Sequence, residues 1–197
     1  MVLAFSFVFP GLLFLFLVQE GGRLMGWDPR GWRPTLIMGL IAVSATLFPV
    51  GGLPLGRWVI SLNANFSIPL TALLLTRVTK TASGLRLVDR KGLTTCWIFS
   101  LTAGAALYPM ALGMGGYDPY GAGWGFSWLF VAICGVTLLL LMMKNRFAVV
   151  LMAAILAHDL HLLESTNLWD YLVDPFLALF SCAALGCRLV QMRTTRI

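Results

Sequence analysis

The chain has 197 residues, of which 59% are apolar and 11% charged, against roughly 45–50% and about 25% in soluble globular domains; its mean hydropathy is +0.86. These values exclude an ordinary soluble domain. At roughly 20 apolar residues per membrane span, the length admits at most about eight short-looped helices and no additional soluble domain. The formal net charge of +6 does not indicate a nucleic-acid partner, because no nucleic-acid module accompanies it and basic residues are expected beside apolar spans on the cytoplasmic side.

Uninterrupted apolar stretches at residues 2–18, 35–50, 58–75, 95–114, 124–143, 147–163 and 172–190 predict an all-α, polytopic transmembrane helix bundle of about seven helices forming one integral-membrane domain. The first stretch lacks a basic leading segment and a small-residue cleavage site, so it is expected to stay as a helix, kinked at Pro10. In the third, Asn63, Asn65 and Ser67 precede Pro69. That pattern suits either interhelical hydrogen bonding or a partly unwound helix lining a substrate or ion path. The fourth carries Gly104 within the small-residue run 103–106 and a kink signal at Pro109.

Tyr117-Asp118-Pro119-Tyr120-Gly121 has the chemistry of a tight turn between the fourth and fifth helices. After the sixth helix, Asn167 suits the N-cap of a short interfacial element, and Asp174-Pro175 suits the N-cap and first position of the last helix. On that last helix Ala178, Cys182 and Gly186 form a four-spaced packing stripe. Cys96, Cys134, Cys182 and Cys187 all lie within apolar stretches without a C-x-x-C pair and read as small packing residues.

Counting Lys and Arg in alternate loops sets the orientation. Arg23, Arg30, Arg33, Arg77, Lys80, Arg86, Arg90, Lys91, Lys144, Arg146, Arg188, Arg193 and Arg196 share one side, and Arg57 alone falls on the other. The N-terminus is therefore expected outside and the C-terminus in the cytoplasm, in a bacterial inner membrane. An added or missing span would break the alternation downstream, so the charges support the count of seven. The loop spanning 77–91 holds five basic residues and one acid, a composition suited to orientation, lipid headgroups or a soluble partner.

This orientation places most acids and both histidines in the outer half. On a continuous sixth helix, His158 lies on the order of 16 Å from the cytoplasmic start, and His158, His161 and Glu164 follow one another by about 60° around the axis. Ionisable groups at such depth carry a functional expectation. Two histidines and a carboxylate match the donor types of iron or zinc sites, so His158, His161 and Glu164 are candidate ligands for a divalent metal, and Asp159 joins them as a candidate catalytic group. Asn63, Asn65, Asp118 and Asp170 are candidate binding residues. The plain alternative is that the histidines and acids only satisfy neighbouring helices and caps.

Three functions remain open on sequence, and whether the chain is an enzyme is undecided. The first is an accessory or scaffold subunit of a membrane-embedded complex, with lipids and other membrane subunits as partners. The second is a metal-dependent enzyme facing the outer leaflet and acting on a lipid or lipid-linked substrate. The third is a small transporter or channel between the third and sixth helices.

Overall fold

The computed structural model describes residues 2–194; Arg196 of the basic set lies outside the described residues, as does the side chain of Arg193. The chain is all-α. Its helices are α1 (Val2–Ser6), α2 (Val8–Leu24), α3 (Trp32–Leu47), α4 (Leu55–Leu62), α5 (Ile68–Ser83), α6 (Arg90–Ala111), α7 (Trp128–Met142), α8 (Phe147–Asp159), α9 (Leu168–Leu172) and α10 (Pro175–Thr194). A two-residue antiparallel hairpin pairs β1 (Pro49–Val50) with β2 (Leu53–Pro54), and Pro119–Gly123 forms a 3₁₀ turn. Among the described residues, Val2–Leu24 and Pro175–Met192 are long and apolar enough to cross a membrane, while Trp32–Leu47, Trp128–Met142 and Phe147–Asp159 are apolar but shorter.

Successive long elements run up and down, because the contacts between them join matching ends. At one end, a Cβ on Gly56 would meet Phe7 and Thr46, and the Phe9 and Phe66 rings stack 3.8 Å apart. Near the same end, a Cβ on Gly104 would lie 2.9 Å from Ala178. At the opposite end, Gly22 closes on Met38 and Trp27, and the Gly31 N–H donates to the Ala82 carbonyl at 3.1 Å. There, too, Asn145 Nδ2 donates to Thr95 Oγ1 at 2.7 Å, and Arg188 Nη1 donates to Thr94 Oγ1 at 2.6 Å. The first end is called outer below and the second inner, as labels taken from the orientation expected from the basic residues.

The core gathers around α8, whose Phe147, Leu151 and Ala154 are fully buried with Leu168, Tyr171 and Leu177. Large apolar side chains instead cover the outward faces of α3 (Leu36, Ile37, Leu40), α7 (Val131, Leu138, Leu139) and α10 (Leu179, Phe180, Leu189). Exposed apolar surface of that extent marks faces that meet a membrane or another protein.

Several boundaries differ from the sequence reading. The first stretch breaks at Phe7 between α1 and α2, three residues before Pro10, because a proline removes a helix donor and its ring crowds the turn before it. The third stretch is two helices rather than one. α4 stops at Leu62, and α5 begins at Ile68 under a Ser67 cap, whose hydroxyl accepts the Leu70 N–H at 3.3 Å. Since α5 continues to Ser83, Arg77 and Lys80 ride on a helix, and the link to α6 is only 84–89. Asp89 caps α6 by accepting the Gly92 N–H at 3.0 Å, which offsets the unfavourable placement of Arg90 and Lys91 in a first turn.

The small-residue expectations are corrected on α10. Ala178 does meet Gly104, but Cys182 and Gly186 are exposed, and the buried face is carried by Leu177 and Ser181. Among the cysteines only Cys96 is buried; Cys134, Cys182 and Cys187 point outward. Gly104 therefore sets how closely α6 and α10 approach. A Gly104→Leu variant should lose about 1–3 kcal/mol through overpacking, seen as a lower midpoint of thermal unfolding in detergent. Gly135→Leu on α7, where a Cβ would meet nothing within 4 Å, should leave the midpoint nearly unchanged.

Candidate functional site

The interruption between α4 and α5 frees backbone groups that need partners, and polar side chains from distant segments supply them. Asn63 Oδ1 accepts the Asn65 N–H at 3.1 Å. Asn65 Oδ1 accepts the Ser165 N–H at 3.1 Å, and Asp174 Oδ2 accepts the Ser67 N–H at 3.0 Å. Asp174 also caps α10 through Oδ1, which accepts the Leu177 N–H at 2.9 Å. One buried carboxylate thus ties the start of α5 to the start of α10.

The segment containing α9 folds across the outer end and clasps the 3₁₀ turn. Asn167 caps α9 by accepting the Trp169 N–H at 3.0 Å, while its Nδ2 donates to the Tyr120 carbonyl at 3.0 Å. Trp169 Nε1 donates to the Pro119 carbonyl at 2.9 Å, and Tyr120 Oη donates to Asp170 Oδ2 at 2.9 Å. Burial, with Asp170 as acceptor and neighbouring charge, pushes the Tyr120 hydroxyl up to about 12. Burial likewise raises Tyr171, whose hydroxyl donates to the Ser165 carbonyl at 2.9 Å and accepts the Leu163 N–H at 3.2 Å.

Between the α4/α5 break, the outer end of α6 and this clasp lies a cavity of about 460 Å³. Its polar lining comprises Asn63, Asn65, Tyr108, Tyr120, Asp170 and Asp174, with Leu107, Ala111 and Val173 among its apolar walls. Asn63 Nδ2 and Tyr108 Oη are both buried and hydrogen-bond to nothing among the described residues. Two carboxylates line the cavity, and no cationic side chain does. The chemistry on offer is amide and hydroxyl hydrogen bonding beside negative charge. No family model, curated protein or solved structure matches the chain.

Of the sequence candidates, Asn63, Asn65 and Asp170 are brought together here. Asp118 is not in the lining; it accepts the Tyr120 N–H at 2.9 Å and caps the 3₁₀ turn. His158, Asp159, His161 and Glu164 are also elsewhere. The continuous helix assumed for His158, His161 and Glu164 ends at Asp159, and Asp159, His161 and Glu164 are exposed. Its end is a Schellman closure, with Leu162 N–H donating to Ala157 O and His161 N–H to His158 O, both at 3.0 Å. His161 holds the left-handed position at φ 51°. Its Nδ1 donates to the His158 carbonyl at 2.8 Å, and His158 Nε2 donates to the Thr166 carbonyl at 3.2 Å while its ring packs edge-on against Phe130 and Tyr171. Among the described residues no three His, Cys, Asp or Glu side chains come together as a metal-binding group.

Tyr108 was hidden from the sequence reading inside an apolar stretch. The available signal was its hydroxyl, which needs a partner when a tyrosine is placed in a core.

Two outcomes follow. His161→Gly should keep the unfolding midpoint close to that of the parent, because glycine takes the left-handed position freely, whereas His161→Val should lose about 1–2 kcal/mol. The Tyr120 hydroxyl has its pKa raised by folding, so its contribution is fully present below pH 10 and is lost as pH rises through about 12. Unfolding midpoints measured from pH 9 to 12 should fall less steeply in Tyr120→Phe than in the parent.

Proposed function

We propose that the chain is a multi-pass integral membrane protein of about seven spans, N-terminus outside and C-terminus cytoplasmic, whose outer cavity binds a small ligand bearing hydroxyl or amine groups. The membrane part is supported by the outward apolar faces of α3, α7 and α10 and by the up-and-down order of the helices. The binding part is carried by one observation: Asn63 Nδ2 and Tyr108 Oη are buried without partners around the same cavity. A buried polar group without a hydrogen bond costs about 1–3 kcal/mol, so a molecule that satisfies both is favoured there. Asp170 and Asp174 make the cavity a poor host for anions and a good one for neutral polyols or ammonium groups.

The broken α4/α5 element is the kind of non-helical backbone that membrane proteins tolerate where it lines a cavity. It supports substrate capture at the outer face, as in the transport reading, but with a path along α4, α6 and α10 rather than along α8. A thermal-shift screen of detergent-purified protein against polyols, primary amines and carboxylates tests this. Hydroxylated or amine compounds should raise the midpoint and carboxylates should not, and Asn63→Ala with Tyr108→Phe should weaken the effect at least fivefold. Equal shifts in parent and variant, or no shift from any compound, would overturn it. Topology is tested separately by reporter fusions: alkaline phosphatase should be active when inserted at Gly116 and inactive when fused after Ile197.

A second reading, as an accessory subunit of a membrane complex, is favoured by the outer segment between α6 and α7. It exposes Leu112, Met114, Trp124 and Phe126, next to Trp128 at the start of α7, an aromatic surface suited to a neighbouring subunit. Isolation in mild detergent should then recover the chain with other membrane proteins, and Phe126→Asp should release them.

A further inference from the structure

The inner end carries a second cavity whose character is opposite to that of the outer one. Between α5, α6, the 84–89 link and α10 lies a volume of about 390 Å³ lined by Arg77, Lys80, Arg86, Arg90 and Arg188, and by no acidic side chain. The side chains of Arg77, Lys80, Arg86 and Arg90 make no ion pair or hydrogen bond among the described residues. Arg188 is held in place: its guanidinium stands 4.4 Å above the Trp97 ring and donates to Thr94 Oγ1 at 2.6 Å. Like charges gathered around one space repel; the acids Glu20 and Asp28 line a neighbouring pocket that shares Arg77 and Lys80, and no acid lines this one.

From this geometry we infer an anion site that takes a phosphate group. Arginine is suited to it because the planar fork offers paired donors to phosphate oxygens, and four of the five cations are arginines. The cations come from three separate helices and a link, and converge on one cavity although four of them are exposed. The walls add a second element of recognition. Leu73, Leu93 and Trp97 continue the cavity away from its charged rim. Arg188 also borders a neighbouring groove of about 640 Å³ between α6 and α10, whose walls include Leu101, Leu185 and Leu189.

A phosphate held by the arginines therefore has an apolar channel on either side of Arg188. That combination fits the headgroup and acyl chains of an anionic phospholipid, and its phosphate chemistry also fits a free phosphate compound. The site lies at the end of the bundle opposite the cavity of the proposed function and does not depend on that cavity binding anything.

Native mass spectrometry of delipidated, detergent-purified protein tests the inference with three probes: phosphatidic acid, phosphatidylcholine and inorganic phosphate. Phosphatidic acid should bind at least tenfold more tightly than phosphatidylcholine. Arg77→Gln/Arg90→Gln, which removes two side chains with no structural partner, should reduce that binding at least fivefold while keeping the unfolding midpoint. Arg57→Gln, on α4 at the outer end, should leave it unchanged. Binding of inorganic phosphate, lost in the double variant and without preference for phosphatidic acid, would support the site and assign it to a soluble phosphate compound. Equal binding of both lipids with no phosphate binding, or a double variant that binds as the parent does, would overturn it.

Discussion

Helix ends and breaks leave backbone amides and carbonyls without partners inside the helix, a constraint that polar side chains meet at many of the ends and breaks of this chain. That constraint explains where its few polar side chains stand. Asn63, Asn65, Ser67 and Asp174 close the gap between α4 and α5. Asp89 and Asn167 cap α6 and α9, and Asn145, at the turn between α7 and α8, accepts the Phe147 N–H at 3.0 Å. His161 and Lys144 occupy left-handed positions after α8 and α7 with φ of 51° and 52°, so two helices end without a glycine. Four buried side-chain atoms lack partners among the described residues, Gln19 Oε1, Asn63 Nδ2, Tyr108 Oη and Ser181 Oγ, and of these residues Asn63 and Tyr108 line the same cavity.

The parts legible from the sequence are those in which a local spacing has a local meaning. Asn167 before Leu168-Trp169, Asp174 before Pro175, and Asp118 before Pro119 each announce a cap or a turn, and each caps as the spacing implies. The polar run Asn63 to Pro69 marks the interruption of a helix. Its extent was less legible because hydropathy falls after Leu75 while the backbone hydrogen bonds of α5 continue to Ser83. Polar residues on a helix near an interface lower the hydropathy without ending the helix.

The histidine stripe shows the complementary difficulty. Periodicity projects residues onto one face only while the helix lasts, and the usual sign of a left-handed stop, a glycine or asparagine, is missing at His161. The α10 stripe shows that three small residues in register do not say which face is covered, since the partner helix chooses Ala178 and leaves Cys182 outside. Asp170, Asn63 and Asn65 were legible as polar groups of the outer half. That they meet Tyr108 depends on the packing of α6 against α10, a long-range fact that spacing along the chain does not encode.

Gly104 has a bearing on the order in which this molecule comes together. Chains fold from the N-terminus as they are made, and α6 packs most extensively on α10, which is made well after it. Until then its groove at Gly104 faces no partner from the chain itself. The earlier segments, α2 with α3 and α5, have their mates close by in the chain and can assemble while synthesis continues. The outer cavity has Tyr108 on one side and, on the other, Val173 and Asp174 just before α10 and Pro175 at its start. A chain truncated before α10 thus lacks the main packing partner of α6 and the helix whose start Asp174 ties to that of α5.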